Sequence, residues 1–471
     1  MSIELSILEI FFLIQVVLIF LIIFDQRRNP TSTVGWILVL LLLPLLGFFL
    51  YLFLGQDWTK RRLFAMKAED DERLGKIVVS QIQKLESIGR DTTYERFLSI
   101  IRMFLESNRA FVTTDNAITL FTDGTEKFAS LFDALRSARH HIHLEYYIIR
   151  DDPPAHELIE LLTRKAGEGV EVRLLADSLG MKVKKKALRE FLQAGGKHAV
   201  FFPHISTLNY RNHRKIAVID GKVGFIGGYN IGEEYLGKGP LGYWRDAAIR
   251  IEGTGVTGLQ IRFFMDWNYA SVERLVFEPI YFPTNPGPGN CPLQIVSSGP
   301  DTRFSQIKEG YLKLVSTARE SVYIQTPYFI PDDSLTDALR IAALSGVDVR
   351  IMIPCKPDHP FVYWSTLSFI GDLLDVGVKA YTYDNGFIHA KTIVADGIAA
   401  SVGSANFDIR SFRLNFEANA FFYDPISGGE MKQAFLDDLP KCTEITRESY
   451  RNRSRWTKAK ESVSRLFSPL G

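Results

Sequence analysis

The stretch HRKIAVIDGKVGFIGGYN, beginning at His213, returns as HAKTIVADGIAASVGSAN beginning at His389. The order around it is kept as well: ARHHIHLEYYI at 138–148 matches ARESVYIQTPYF at 318–329, and GVEVRLLADS at 169–178 matches GVDVRIMIPC at 346–355. Across these pairs the offset drifts only from 180 to 177 to 176. Chance motifs do not preserve order over most of two halves, so the chain is a duplication and must fold as two copies of one architecture. Within each copy, apolar strand runs alternate with helical stretches such as ELIELLTRKAGEG and SLTDALRIAALSG. That alternation predicts an α/β fold with a mixed sheet flanked by helices. The Pro- and Gly-rich FPTNPGPGNCP at 282–292 separates the copies, which gives expected domains at 111–285 and 292–448.

The ends of the chain differ from the middle. Residues 5–24 and 34–54 are apolar runs, each about long enough to cross a hydrocarbon core of ~30 Å as a helix, so 1–58 reads as a transmembrane helical hairpin. Lys60, Arg61, Arg62 and Lys67 follow the second run, against Arg27 and Arg28 in the connecting loop. That bias predicts a multi-pass membrane protein with its body in the cytoplasm. Residues 59–110 read as a charged helical connector, and 449–471 as a basic tail. If the tail is helical, Trp456, Val463, Leu466 and Phe467 form an apolar side. Cys291, Cys355 and Cys442 are isolated and odd in number, which suits a reducing compartment. The net charge of +1 gives no global pull toward nucleic acid.

Strand side chains alternate faces, so His213 shares a face with Lys215 but not with Asp220. Asp220-Gly221 signals a hairpin, and a two-residue turn there sets Lys215 opposite Ile226 and His213 opposite Gly228, with Asn230 on the histidine's face. The same count in the second copy sets His389 opposite Ser404 and places Asn406 on the face of Lys391. Asp220 and Asp396 then fall in the turns and carry structural work. Lysine and asparagine donate to phosphate oxygens, and an imidazole can attack phosphorus or donate a proton. One copy supplies half a reaction; two face to face supply a nucleophile and a general acid, one imidazole neutral and the other protonated. Such a site calls for no metal and no cofactor. The run RHHIH, with His140, His141 and His143, lacks a nearby Cys or Asp cluster and is not read as a metal site. Lys182 to Lys186 reads as a solvated helix face or a contact for anionic headgroups.

The paired motif resembles the signature of the phospholipase D superfamily, H-x-K-x4-D followed by G-[GS]-x-N, over roughly residues 110–445. The signature counts His213, Lys215, Asp220, His389, Lys391 and Asp396 as its catalytic set, with Gly228, Asn230, Ser404 and Asn406 supporting the phosphate. In the superfamily an acidic residue past the asparagine orients the histidine; Glu417 fits that place in the second copy, and Asp246, displaced by about five residues, in the first. The apolar runs, QTPYFIPDDSL and the terminal RLFSPL make the chain similar to the bacterial cardiolipin synthase family within it. The resemblance implies a phosphatidyltransferase of the bacterial inner membrane. It would move a phosphatidyl group between two phosphatidylglycerol molecules, through a phosphohistidine, giving cardiolipin and glycerol. The alternative is a hydrolytic phospholipase D.

Overall fold

The computed structural model describes residues 95–202, 209–283, 286–302 and 304–468, with 12–14, 16, 17, 19, 20, 30–43, 46–48, 51 and 81 nearer the N-terminus. The chain divides into a unit of residues 1–68 with 204–210 and a unit of 69–203 with 211–471. In the smaller unit, the helix Pro30–Leu42 contributes Trp36 and Leu40 to a buried cluster with Tyr51, whose ring meets Trp36 edge-on at 5.5 Å. Among the described residues no helix is long and apolar enough to cross a membrane. Most of the first expected span, parts of the second, and the connector from 59 to 94 apart from Gln81 lie outside the described residues.

The larger unit is built on one ladder of strands with a palindromic order. At its centre Thr113–Phe121 pairs antiparallel with Cys291–Ser298. Outward through the first half follow Ala248–Glu252, Val223–Gly227, Ile216–Ile219, His141–Tyr146, Glu171–Asp177 and Lys197–Phe201. Outward through the second follow Asn415–Tyr423, Ala399–Gly403, Thr392–Ala395, Ser321–Gln325, Asp348–Pro354 and Lys379–Tyr383, closed by Cys442–Ile445. The last three strands of each matched set run parallel, joined by helices, and the rest antiparallel. This is the mixed sheet of a duplicated α/β protein.

Local chemistry repeats along with the order. Asp152 caps the helix Pro153–Gly167 by accepting from Ala155 N, and Asp332 caps Asp333–Leu344 by accepting from Leu335 N. Such caps supply partners to N–H groups that a helix start leaves open. One segment differs from its sequence reading. The helix Leu98–Asn108, taken there as part of a connector, belongs to the second half's core: Phe104 packs on Phe421 at 4.6 Å, and Asn108 Nδ2 donates to Ser297 O at 2.7 Å. Its apolar residues recur at helical spacing because one face is buried.

Candidate active site

Each histidine is delivered by a short strand that pairs with the other half. Arg211–Asn212 runs parallel to Asn415–Phe416, and His213 N donates to Phe416 O at 2.9 Å. Phe387–Ile388 runs parallel to Trp244–Arg245, and His389 N donates to Arg245 O at 2.8 Å. The next residue on each partner strand is an acid, so the carboxylates are exchanged between halves. His213 Nδ1 lies 3.0 Å from both oxygens of Glu417, and His389 Nδ1 lies 2.6 Å from Asp246 Oδ2.

This exchange defines the tautomers. Burial would raise the Glu417 carboxyl, but the charge and hydrogen bond of His213, with Lys215 and Ser404, outweigh it and hold the group below its ordinary value. An ionised carboxylate only accepts, so His213 Nδ1 carries the proton and Nε2 keeps a lone pair. His389 has the same arrangement against Asp246. Both imidazoles are pushed down to about 4, chiefly by burial; the carboxylates oppose this and both lysines, Lys215 and Lys391, add to it. Each histidine is bonded to a carboxylate of the other half, so the two sets meet at the junction of the halves. Lys215 is held well below its ordinary range, and Lys391 is pushed down to about 8, again first by burial. Each ammonium folds back on a histidine carbonyl, Lys215 on His213 O and Lys391 on His389 O. The two lysines depress both histidines, and Lys391 also depresses Lys215.

The hairpin count from sequence is off by one residue. Ile216 pairs with Ile226 and Ile219 with Val223, so extending the ladder would not bring Lys215 to Ile226 or His213 to Gly228. In the second copy Thr392 pairs with Val402 and Ala395 with Ala399, which removes the His389–Ser404 pairing. The cause is the turn. Asp220 and Gly221, with φ of 52° and 64°, close a tight turn in which Lys222 N donates to Ile219 O, and Lys222 is then left as an extra residue before the ladder resumes. Asp396 and Gly397 repeat it, with φ of 56° and 66°.

The small residues serve the acids instead. A Cβ on Gly228 would stand 2.1 Å from Asp246 Oδ1, so glycine makes room for the carboxylate and not for the imidazole. At the matching place Ser404 Oγ donates to Glu417 Oε2 at 2.5 Å. Asn230 Nδ2 donates to Tyr235 OH at 3.1 Å, and that hydroxyl lies 3.4 Å from His389 Nδ1, so the first half's asparagine is linked to the second half's histidine. Asn406 is buried, and its backbone N donates to Ser411 Oγ at 3.2 Å. Asp220 and Asp396 lie in the turns, at the far ends of their strands from the histidines. Asp220 accepts from the backbone N of Arg139, His140 and His141 at 2.8–2.9 Å. Asp396 does the same for Arg319, Glu320 and Ser321 and pairs with Arg96 at 2.8 Å. Each ties its hairpin to the start of a neighbouring strand.

Other contacts were not legible from the motif. Tyr147 edges the His213 ring at 4.9 Å, and Trp244 covers His389 at 5.0 Å. Arg214, between His213 and Lys215, is wholly buried; its Nε donates to Glu417 O at 3.1 Å, and Asp266 holds it through two bonds of 2.8 Å. Its counterpart in the second copy is Ala390, so no repeat signal marked it. His141 and His143 stack in a buried cluster with Phe263 and Tyr281, bridged by Gln260. Among the described residues no group of three or more His, Cys, Asp or Glu is placed to hold a metal ion.

Two copies of a mixed sheet, each offering a histidine and a lysine to a shared site, define a phospholipase D-like protein. The family described as cardiolipin synthase, PLD-like domain, matches residues 131–254 and 311–439, and the phospholipase D-nuclease N-terminal family matches 13–56. The chain is 48% identical over 484 residues to the major cardiolipin synthase ClsA of Bacillus subtilis, covering 100% of both chains. It is also 48% identical to the cardiolipin synthase of Staphylococcus aureus strain Mu50, covering 98% of this chain and 95% of that one. The chain belongs to the cardiolipin synthase family. The crystal structure of phosphatidylserine synthase from Haemophilus influenzae shares the fold at a TM-score of 0.59 and 14% identity, covering 79% of this chain and 98% of that one.

Proposed function

We propose that the site moves a phosphatidyl group from one phosphatidylglycerol to a hydroxyl of another, giving cardiolipin and glycerol. The observation that carries this reading is the exchanged pair of histidine–carboxylate contacts, which leaves two imidazoles with free Nε2 atoms in one buried site. One Nε2 attacks the phosphorus of the first lipid, a P–N bond forms, and the P–O bond to glycerol breaks. The other imidazole, protonated as the anionic phosphodiester binds, gives its proton to the departing glycerol oxygen. It then takes a proton from the hydroxyl of the second lipid as that oxygen attacks phosphorus and the P–N bond breaks. Dividing the displacement in this way makes each step easier. Lys215, Lys391, Asn230 and Asn406 offset charge on the non-bridging oxygens. Gly228, Ser404, Asp246 and Glu417 hold the imidazoles, and Asp220 and Asp396 hold the hairpins.

The same reading places the chain in a bacterial inner membrane as a multi-pass protein, with 111–285 and 292–448 as cytoplasmic domains behind a hairpin over 1–58. Its support is the two apolar runs and the match at 13–56. Incubation of the purified protein with phosphatidylglycerol in detergent and a chelator, following cardiolipin and glycerol together, tests the chemistry. Equal release of both is the expected result. Phosphatidic acid without cardiolipin would identify a hydrolase. A reporter fused after Gly471 tests the orientation, and an external signal reverses it.

A further inference from the structure

The C-terminal helix Arg455–Phe467 is built inside out for a helix of a globular protein. Its buried side chains are polar: Glu461 is 3% exposed and Ser464 4%. Three of its apolar ones point outward, Trp456 71% exposed, Val463 53% and Leu466 75%. At 3.6 residues per turn these three fall on one stripe, and Glu461 and Ser464 on the opposite side. The polar side is fully engaged. Glu461 takes two bonds from Arg453, Lys460 lies 4.9 Å over the Trp364 ring, and Arg465 covers Phe369 at 4.6 Å while pairing with Asp372 at 2.6 Å. The helix is thus fixed on the helix Pro360–Leu374, with its apolar stripe presented outward by construction.

The direction of packing adds the link to the site. Lys460 meets Trp364 and Arg465 meets residues 368–372, so the two helices run parallel. Lys460 lies over the Trp456 ring at 6.0 Å as well as over Trp364, so Trp456 stands toward the N-terminal part of the Pro360 helix, where Phe361 is 44% exposed. That end lies beside the site: Tyr328 donates to Asp358, and Phe329, the next residue, pairs with Phe407, which directly follows Asn406. Arg455 and Lys458, both exposed, flank the stripe.

We propose that the stripe of Trp456, Val463 and Leu466, with Phe361, is a bilayer-docking surface that seats the Asp358 end of the site on anionic phospholipid. Apolar side chains beneath flanking cations match the acyl boundary and the phosphate layer of such a membrane, and tryptophan is suited to that depth. The inference rests on the lipid-transferase reading for its purpose, though not for its test.

The full chain is reconstituted in phosphatidylglycerol vesicles with or without bromines on shallow acyl carbons, and its tryptophan emission is compared with that of Trp456→Phe. The difference isolates Trp456 from the other tryptophans. More than half of that difference should be quenched by the brominated lipid, and it should be protected from aqueous iodide. Equal emission in both vesicles overturns the proposal. With iodide access it means a solvated stripe; with iodide shielding it means a protein cover, from a second copy or the N-terminal segment. In a second arm, W456S/V463S/L466S should lose about tenfold in turnover on vesicles and stay within twofold on a monomeric short-chain phosphatidylglycerol. An equal loss on both substrates overturns docking, whereas no turnover by any form would overturn the lipid-transferase reading and leave the quenching result to decide docking.

Discussion

Glu417 and His213 stand 204 residues apart in the chain and meet with both carboxylate oxygens 3.0 Å from the imidazole Nδ1. With Asp246 on His389 as its mirror, the contact makes each half incomplete without the other. The duplication is therefore catalytically obligatory on the proposed mechanism, because each imidazole's tautomer is set from across the pseudo-symmetry axis.

Glu417→Gln tests that dependence. The amide can present its NH2 to Nδ1, favouring the tautomer whose proton sits on Nε2, where a lone pair is required. Turnover should fall by about a hundredfold or more, equivalent to ~2.7 kcal/mol of barrier, with thermal stability near that of the parent. Steady-state cardiolipin formation checks it. A variant with a tenth of the parent's rate would remove Glu417 from the positioning role.

Gly228→Ala should be as damaging to the His389 side. Its Cβ would meet Asp246 Oδ1 at 2.1 Å, well inside contact distance, so the carboxylate must leave the imidazole. A folded, inactive protein is the expected result. A crystal structure or the His389 proton resonance would show whether the Asp246 bond is lost; an intact bond with full activity contradicts the steric account.

Asp220→Asn and Asp396→Asn should act on stability first. Each aspartate accepts from three consecutive backbone N–H groups, and an amide oxygen accepts more weakly while its NH2 faces donors. A loss of about 1–3 kcal/mol per site is expected in denaturant unfolding. Activity of the remaining folded protein should be close to normal. A fully stable but dead Asp220→Asn would return that residue to the chemistry.

Binding of a phosphodiester anion should take up protons. Both histidines are pushed down to about 4 and Lys391 to about 8, so at neutral pH the imidazoles are neutral. An anion among them favours their charged forms and raises these values. Groups whose values rise on binding make affinity fall as pH rises, from about 4 upward through a histidine and from about 8 upward through Lys391. Calorimetry of a non-hydrolysable analogue in buffers of differing ionisation heat measures the uptake directly. Heat independent of buffer would mean that no histidine is recharged by the ligand.

Much of this molecule is readable without coordinates, for a physical reason. Duplication is written in order and spacing, and the apolar runs of HRKIAVID and HAKTIVAD mark the strands Ile216–Ile219 and Thr392–Ala395, although His213–Lys215 and His389–Lys391 fall between strands and not within one. The placement of Asp220 and Asp396 in turns follows from the same local chemistry, since Asp-Gly takes left-handed conformations that few other pairs adopt. Three matters were decided only by the tertiary structure. The extra residue at Lys222 shifted the hairpin register, because a turn's closing residue is a matter of backbone geometry and not of side-chain type. The carboxylates crossed between halves because the strands at 211–212 and 387–388 pair with partners more than 140 residues away, a distance no local pattern encodes. The buried contact of Arg214 with Asp266, absent from the second copy, likewise depends on a helix brought close by the fold. Local sequence determined which groups are available and on which elements. The packing of two similar halves determined which histidine each acid serves.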